Sequence, residues 1–252
     1  MSPDHEKKKQ FIAKLTELAK NGLEKAQMDL ATCYLHGDMV EQDHEKAMEW
    51  FRRAAAQGNC DACSALGVLY TEGLGIQPNP AEARRWLETG AQGGSSSCQY
   101  NLGVFYHFGI GVEKDFEKAF HWFHEAAKQG DSSAAAKLGF MYCQGEGVPV
   151  DKTKGADWLK QAAAEEHIEA QYNLGMLYFH GHGVEQDYKK ALEYLEASAM
   201  QGYISAQSNL GVIYSQGQGV PKNIERAVHW FEQAAAQGDY QSMKMLQKMG
   251  KA

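Results

Sequence analysis

The side chains best suited to chemistry in this sequence are cysteines and histidines that stand a few residues apart. Cys60 and Cys63 have the spacing of redox pairs and of half a zinc site. Two histidine pairs also stand close in sequence: His121 with His124, and His180 with His182. A zinc site needs four ligands, and no second pair lies at the usual distance along the chain. We therefore predict solvated histidines, an inert reduced thiol pair, and no metal or cofactor.

A convergent catalytic set is also missing from the sequence. There is no Gly-x-Ser-x-Gly or Ser-x-x-Lys element, the local signatures of two classes of serine nucleophile. The Gly-x-Gly segments, such as Gly109 to Gly111, lack the preceding strand of a dinucleotide loop and recur as helix terminators. We therefore predict a protein that is not an enzyme and has no catalytic residue.

Composition narrows the class of partner. The chain has 252 residues, with 25 Lys and Arg against 32 Asp and Glu, for a formal net charge of -7. Because no long basic run interrupts this acidic balance, we expect neither a nucleic-acid partner nor a membrane partner. Five cysteines, an odd number, favour reduced thiols in a protein large enough to fold without disulfides.

The N-terminal sequence bears on where in the cell the protein is located. It contains no signal-peptide core, and the chain has no apolar run of membrane-spanning length. We therefore expect a cytoplasmic protein. A mature secreted or periplasmic form whose leader has been removed would look the same, so that alternative stays open.

A period of 36 residues runs through the chain without an insertion or deletion. One phase of the period is leucine: Leu30, Leu66, Leu102, Leu138, Leu174, Leu210 and Leu246. Another, four residues later, is tyrosine: Tyr34, Tyr70, Tyr106, Tyr142, Tyr178 and Tyr214. A third is aromatic: Trp50, Trp86, Trp122, Trp158, Tyr194 and Trp230. Because self-similarity at such a period is typical of solenoids, we predict a repeat protein.

Each repeat has the pattern of two helices. In the first repeat Ala26, Leu30 and Tyr34 lie on one helical stripe, which stops at Gly37. Asp43 then suits the N-cap of a second helix, whose apolar residues follow at helical spacing. We predict that the tyrosine and tryptophan phases are structural and fill the core between helix pairs.

Four elements of this pattern carry a family resemblance. They are Ala-x-x-x-Leu-Gly-x-x-Tyr at Ala170 to Tyr178, Gly-x-Gly-Val at Gly181 to Val184, Lys-Ala-x-x-Trp at Lys118 to Trp122, and Ala-Ala-x-x-Gly at Ala235 to Gly238. The repeat resembles the Sel1-like repeat, which is related to the tetratricopeptide repeat. The resemblance implies an all-α protein, an α/α solenoid with a right-handed superhelix, and a role in assembling other proteins.

The phase of the repeat predicts the domain organisation. Residues 1–25 are expected to form an N-terminal capping half-repeat, and residues 242–252 a C-terminal capping helix. Six 36-residue helix-turn-helix repeats lie between them, at 26–61, 62–97, 98–133, 134–169, 170–205 and 206–241. Caps are expected because an inner repeat at either end would leave its stacking face in water. Gly90 and the segment from Gly94 to Ser97 depart from the pattern, and that segment is the expected hinge.

The first helix of each repeat carries the candidate binding face, because first helices line the concave side in tetratricopeptide arrays. On the side away from Leu30, the Met28, Thr32 and Leu35 phases are unusually apolar and aromatic for a solvated surface. We predict a groove for a protein or peptide, with asparagines holding its backbone amides. The candidate residues are Tyr100, Asn101, His107, Phe140, Tyr172, Asn173, Phe179 and Asn209. The alternative is that they pack against the neighbouring first helix.

These observations predict a monomeric, non-enzymatic scaffold or adapter that binds a protein or peptide partner. An inhibitor or immunity protein for one cognate toxin is a narrower alternative. A hydrolase of the penicillin-binding or β-lactamase-like kind, an activity attributed to some relatives, is the alternative from another class. The missing nucleophile weighs against it.

Overall fold

The computed structural model describes residues 3–251, which form fourteen α-helices and no strand. The first helix, α1, spans Pro3–Lys20, and the last, α14, spans Tyr240–Lys248. The first helices of the six repeats are α2 (Glu24–His36), α4 (Cys60–Glu72), α6 (Ser96–Phe108), α8 (Ser132–Gln144), α10 (Ile168–His180) and α12 (Ile204–Gln216). The second helices are α3 (His44–Ala55), α5 (Pro80–Gln92), α7 (Phe116–Lys128), α9 (Lys152–Ala164), α11 (Tyr188–Met200) and α13 (Ile224–Ala236). The predicted all-α solenoid of six helix pairs is confirmed.

The helices form two compact units, residues 1–129 with α1 to α7 and residues 130–252 with α8 to α14. Within each unit, a first helix packs on the second helix of its own repeat and on the second helix that precedes it. Among the helices of residues 3–251, none combines the length and the apolar character needed to cross a membrane.

Side-chain caps determine where each second helix begins. Asp43 accepts a hydrogen bond from the backbone N–H of Lys46 at 2.9 Å. The corresponding residues cap the other second helices in the same way: Asn79, Asp115, Asp151, Asp187 and Asn223. The Lys46 ammonium pairs with the Asp43 carboxylate at 2.7 Å and lies 5.4 Å from the centre of the Tyr34 ring. The predicted N-caps are therefore confirmed, and the first of them also places a cation over the tyrosine of its repeat.

Two residues adopt the left-handed backbone conformation that glycine takes in other repeats. Met39 has a φ of 64° at the position of Gly75 and Gly111, and Glu166 has a φ of 57° at the position of Gly130. A side chain in this region costs about 1–2 kcal/mol. Replacing such a residue with glycine removes the strain. Only part of the gain remains, because glycine loses about 0.5–1 kcal/mol more backbone entropy on folding.

Met39→Gly is expected to raise the free energy of unfolding by about 0.5–1 kcal/mol, the difference between these two effects. Met39 is 54% exposed, so little packing is lost with its side chain. Urea unfolding measures the change, and Met39→Ala is the control because alanine keeps the strained β-carbon. A gain of equal size in the alanine variant would show that relief of backbone strain is not the cause.

On each second helix, the residue directly after the tryptophan-phase position is a large side chain buried in the core. Phe51, Leu87, Phe123, Leu159, Leu195 and Phe231 are all 3% exposed or less. In the repeated tyrosine and tryptophan phases, only Trp50 and Tyr214 are buried, at 7% and 4% exposure, and the other rings are half-buried. The prediction that these two phases fill the core is therefore wrong in the extent of burial, because most of the rings lie at the edge of the core. The next residue along the second helix points directly into the interface with the first helix.

Glycine in the middle of a first helix makes room for this core residue. A β-carbon on Gly103 would lie 2.7 Å from two atoms of the Phe123 ring, and one on Gly211 would lie 2.5 Å from the Phe231 ring. Gly67, Gly139 and Gly175 face Leu87, Leu159 and Leu195 in the same way. Because these distances are too short for carbon atoms in contact, glycine allows the two helices to pack this closely.

Buried glutamines connect successive helix pairs. The Gln99 amide donates to the Ala91 carbonyl at 3.2 Å and accepts a hydrogen bond from Gln129 at 2.7 Å. Three other repeats have the same pair: Gln27 with Gln57, Gln171 with Gln201, and Gln207 with Gln237. The first member of each pair is 7% exposed or less. The ladder is unexpected from the sequence, because glutamine is usually a surface residue.

Candidate protein-binding surface

The exposed face of the first helices differs in part from the face that the helical periodicity predicts. Residues of the Thr32 and His36 phases are exposed or partly exposed in every repeat, and we call them the first-helix stripe. Residues of the Met28 and Leu35 phases are partly or fully buried in every repeat. Several of these side chains pack within the chain, either on the second helix of their own repeat, as Tyr100 and Phe179 do, or on the next repeat, as Tyr172 does.

The candidate residues of unit 1 are Tyr100, Asn101 and His107, and all three are partly buried. The Tyr100 ring lies 5.7 Å from the Phe123 ring, and the His107 ring lies 5.2 Å from the Phe116 ring. The two candidate rings therefore contribute to packing between α6 and α7. Asn101 differs, since its amide makes no hydrogen bond with another described residue.

The aromatic candidates of unit 2 differ in exposure. Phe140 is 38% exposed, whereas Tyr172 and Phe179 are partly buried. The Phe179 ring lies 5.2 Å from that of Tyr188, on the second helix of the same repeat. The prediction of exposed aromatic candidates is right for Phe140 and wrong for Tyr100, Tyr172 and Phe179, because these three pack within the chain.

The asparagine candidates of unit 2 also differ. The Asn209 amide donates to the Tyr172 hydroxyl at 3.0 Å and approaches the Met176 sulfur at 3.7 Å. It is therefore engaged within the chain. Asn173 makes no side-chain hydrogen bond with another described residue, so its amide is available to a partner.

Phe108 is a surface aromatic residue that the sequence analysis overlooked. Its side chain is 61% exposed, and its ring lies 4.6 Å from that of His107. It belongs to the His36 phase, where the other repeats have only histidine, glutamate or glutamine. An aromatic residue at a position that is polar elsewhere was the signal that could have identified it.

A small apolar cavity opens between α4 and α6 of unit 1, and its volume is about 160 Å³. Gly67, Leu87 and Phe105 line its interior, since all three are buried. Val68 and Val104 line its more open part, where Val68 is 42% exposed. The cavity therefore has an apolar interior and opens on the first-helix stripe.

Small side chains at this pair of helices leave the cavity unfilled. Gly67 and Thr71 stand where the first repeat has Ala31 and Leu35, and both line the cavity. Val68 stands where the fourth repeat has Phe140. A larger side chain at Val68 or Thr71 would occupy the space, whereas one at Gly67 would meet the Leu87 side chain.

Two polar groups stand at the edge of the cavity. Glu72 and Asn101 both line it. The Glu72 carboxylate is exposed and pairs with no cation in the described part of the chain. With the unpaired Asn101 amide beside it, the cavity has the composition of a binding pocket, an apolar interior with a few polar groups that orient the ligand.

Two larger clefts are polar and recur with the repeat. One of about 570 Å³ is lined in unit 1 by residues that include Tyr106, Asp115 and Lys118, and one of about 440 Å³ is lined by the corresponding residues of unit 2. In the first cleft Lys118 pairs with Asp115 at 3.0 Å and lies 5.3 Å from the centre of the Tyr106 ring. Because these groups satisfy one another, we assign the clefts to the structure of the repeat.

Cysteines and glycines replace the glutamine pair in the second repeat, where Cys63 and Gly93 stand at the two glutamine positions. A β-carbon on Gly90 would lie 2.3 Å from the Cys98 sulfur, and one on Gly93 would lie 2.6 Å from the Cys60 sulfur. The two sulfurs therefore occupy space that a side chain on α5 would need. This packing explains Gly90, which stands where four other repeats have alanine and the fifth has Ser198.

The chemistry of these thiols follows from their burial. All five cysteines are free. Burial raises the pKa of Cys98 to about 11, and burial, followed by the neighbouring Cys60, raises the pKa of Cys63. Because the thiolate is the reactive form, Cys63 and Cys98 remain protonated and unreactive near neutral pH.

In the native protein at about pH 8, we expect an alkylating reagent to modify the partly exposed Cys60 before Cys98, because Cys98 is buried and protonated there. Mass spectrometry of the alkylated peptides measures the order. Protein that is unfolded without reductant should titrate all five thiols. Modification of Cys98 before Cys60, or a titration that finds two fewer thiols than five, would contradict this expectation.

The histidine pairs lie at the surface. His121, His180 and His182 are exposed, and the rings of the last two stack with centres 5.5 Å apart. Among residues whose side chains the structure describes, no three His, Cys, Asp or Glu groups come together as metal ligands.

Comparison with known proteins bears on this architecture. The model of the Sel1 repeat matches residues 24–59, 60–95, 96–131, 132–167, 168–203 and 204–239. No curated protein matches the chain. The matched repeats run almost from one end of the sequence to the other.

Solved structures with the same fold include a Sel1 repeat protein from Oxalobacter formigenes, which is 27% identical over 89% of this chain and 99% of its own, with a TM-score of 0.78. A protective antigen of uropathogenic Escherichia coli is 31% identical over 92% of this chain and 57% of its own, with a TM-score of 0.63. This chain thus spans a little over half of that antigen. An immunity protein from Pseudomonas aeruginosa, 21% identical over 84% of this chain and 81% of its own, shares the fold with a TM-score of 0.51. By its six matched repeats, this chain belongs to the Sel1 repeat family.

Proposed function

We propose that this protein is a non-enzymatic scaffold that binds a protein partner through the first-helix stripe. The observation that carries the proposal is exposed apolar surface at a preformed cavity in unit 1. Val68, which is 42% exposed, lines the cavity, and Phe108, which is 61% exposed, lies one helical turn after the lining residue Val104. A partner that covers these groups removes apolar surface from water, which favours association. Membership of the Sel1 repeat family also supports a protein-interaction role.

The outer face of the second helices provides the contrast. There Arg53 pairs with Glu49 at 2.6 Å, and Lys128 pairs with Glu125 at 2.7 Å. Exposed ion pairs of this kind are ordinary solvated surface and contribute little to stability or binding. The first-helix stripe, with its exposed Val68, Phe108 and Phe140, is therefore the better candidate for the interface.

The test measures partner capture by the immobilised full chain and by two variants. Val68→Ser combined with Phe108→Ala should reduce capture about tenfold or more, since apolar and aromatic anchors contribute most of the energy of an interface. The melting temperature should hardly change, because substitutions of exposed residues alter stability by about 0.5 kcal/mol or less. Arg53→Ala is the control on the outer face. Full capture by the double variant, with loss in the control, would place the interface elsewhere.

An inhibitor of one cognate toxin would use the same surface with a different kind of partner. Recovery of a single enzyme that loses activity when bound would indicate the inhibitor. Recovery of several proteins that compete for the first-helix stripe would indicate the scaffold.

A further inference from the structure

We propose that the cavity between α4 and α6 binds an extended peptide segment that carries one medium-sized aliphatic side chain and a lysine or arginine two residues away from it. This inference rests on the proposed function and names the chemistry of the partner. It follows from the size of the cavity, the polar groups at its edge and the charge beside it.

The size of the cavity selects the side chain. Its volume is about 160 Å³, and its interior residues Leu87 and Phe105 are apolar and almost fully buried. An apolar protein cavity of about 150 Å³ holds a benzene molecule. One leucine, isoleucine or methionine side chain therefore fits, whereas alanine would leave most of the space empty. Because each buried methylene group favours binding, leucine should bind about tenfold or more tightly than alanine.

The amide of Asn101 selects an extended backbone. It offers one donor and one acceptor group beside the cavity, and neither is used within the described chain. An extended segment presents unpaired N–H and C=O groups that match them. A helical segment uses its backbone groups internally, so it has none to offer in its interior.

The carboxylate of Glu72 selects a basic neighbour. Val68 and Glu72 are one helical turn apart on α4, so their β-carbons are separated by about 5–6 Å. In an extended segment, side chains two residues apart point to the same side at about 6.5 Å. A side chain that enters the cavity beside Val68 therefore brings the next side chain on that side close to Glu72. No cation of the described chain pairs with this carboxylate, and the chain as a whole has a formal charge of -7.

The experiment uses the full chain with labelled valine, leucine and isoleucine methyl groups and the peptide acetyl-Lys-Ala-Leu-Ala-Lys-amide. Lysine stands on both sides of the leucine, so the result does not depend on the direction in which the peptide binds. Two control peptides replace either the leucine with alanine or both lysines with glutamate. We expect the methyl signals of Val68, Val104 and Ile110 to shift on titration, because all three residues line the cavity.

The peptides should rank in a fixed order. At about 50 mM salt, the lysine peptide should bind about threefold or more tightly than the glutamate peptide, the size expected for one exposed ion pair. Glu72→Gln should reduce this preference while leucine remains preferred over alanine. Equal binding of the alanine and leucine peptides would overturn the proposal, since it would show that charge alone is recognised.

A filled cavity provides the matched test. Val68→Phe introduces the residue that Phe140 supplies at the same position of the fourth repeat, and it should abolish the methyl shifts. Val212→Phe, at the corresponding position of unit 2, should leave them unchanged. Shifts that depend on protein concentration without peptide would assign the cavity to a second copy of the chain and overturn the proposal.

Failure here can be separated from failure of the proposed function. If no peptide shifts the cavity methyl signals while Val68→Ser with Phe108→Ala still reduces partner capture, the peptide inference is wrong and the scaffold stands. If the peptide binds the cavity but that double variant leaves partner capture unchanged, the proposed scaffold interface is wrong at this surface, and the cavity is a peptide site that the captured partner does not use.

Discussion

Phe123→Ala is expected to lower the free energy of unfolding by about 3–5 kcal/mol, the largest stability effect that we expect from one substitution in this protein. The Phe123 side chain is 0% exposed and fills the space between α6 and α7 opposite Gly103. Removing the ring takes away buried apolar surface and leaves a cavity that the two helices cannot fully close. Urea unfolding followed by circular dichroism measures the loss.

Phe108→Ala is the matched control for this prediction. It removes the same type of side chain from the same helix pair, at a position that is 61% exposed. Its effect should be about 0.5 kcal/mol or less, because surface substitutions rarely change stability by more. Hydrogen exchange of the α6 and α7 amides should locate the Phe123 effect in this repeat. Equal losses in the two variants would contradict the assignment of Phe123 to the core.

Gly103→Ala is expected to destabilise the protein by about 1–3 kcal/mol, against the usual effect of this change in a helix. Alanine normally gains about 1 kcal/mol over glycine in a helix interior. Here the new β-carbon would lie 2.7 Å from two atoms of the Phe123 ring, so α6 and α7 must move apart or the ring must leave its position. The steric cost therefore exceeds the gain in helix propensity.

A double variant tests this explanation. In the Phe123→Ala background, Gly103→Ala should be neutral or stabilising, because the ring that the β-carbon contacts is gone. The two substitutions are then strongly non-additive, as expected for residues in direct contact. An equal loss on adding Gly103→Ala in both backgrounds would mean that another neighbour of Gly103 causes the strain.

The repeat and its helix boundaries could be predicted because they depend on local chemistry. Asp43 caps the helix that starts at the next residue, and Gly37 takes the left-handed conformation that ends the helix before it. Both effects act within a few residues and recur every 36 residues, so six copies of the pattern support the same helix boundaries.

The candidate site could be predicted only as a helix face. Tyr100 and Phe108 are both aromatic residues of α6, and helical periodicity placed Tyr100 at the surface. The structure gives the opposite ranking, with Tyr100 packed near Phe123 and Phe108 61% exposed. The ranking depends on which second-helix side chains lie opposite each position, and the periodicity of one helix contains no such information.

The sequence by itself determined the class of the protein, its six helix pairs and the residues that cap them, since each depends on contacts within one repeat. Only the tertiary structure decided which aromatic residues are exposed, that glutamines are buried between repeats, and that a cavity opens between α4 and α6. The physical reason is that these features depend on the sizes of side chains on two packed helices. Val68 leaves space only because Val104 and Thr71 are also small, and that combination becomes visible when the helices are brought together.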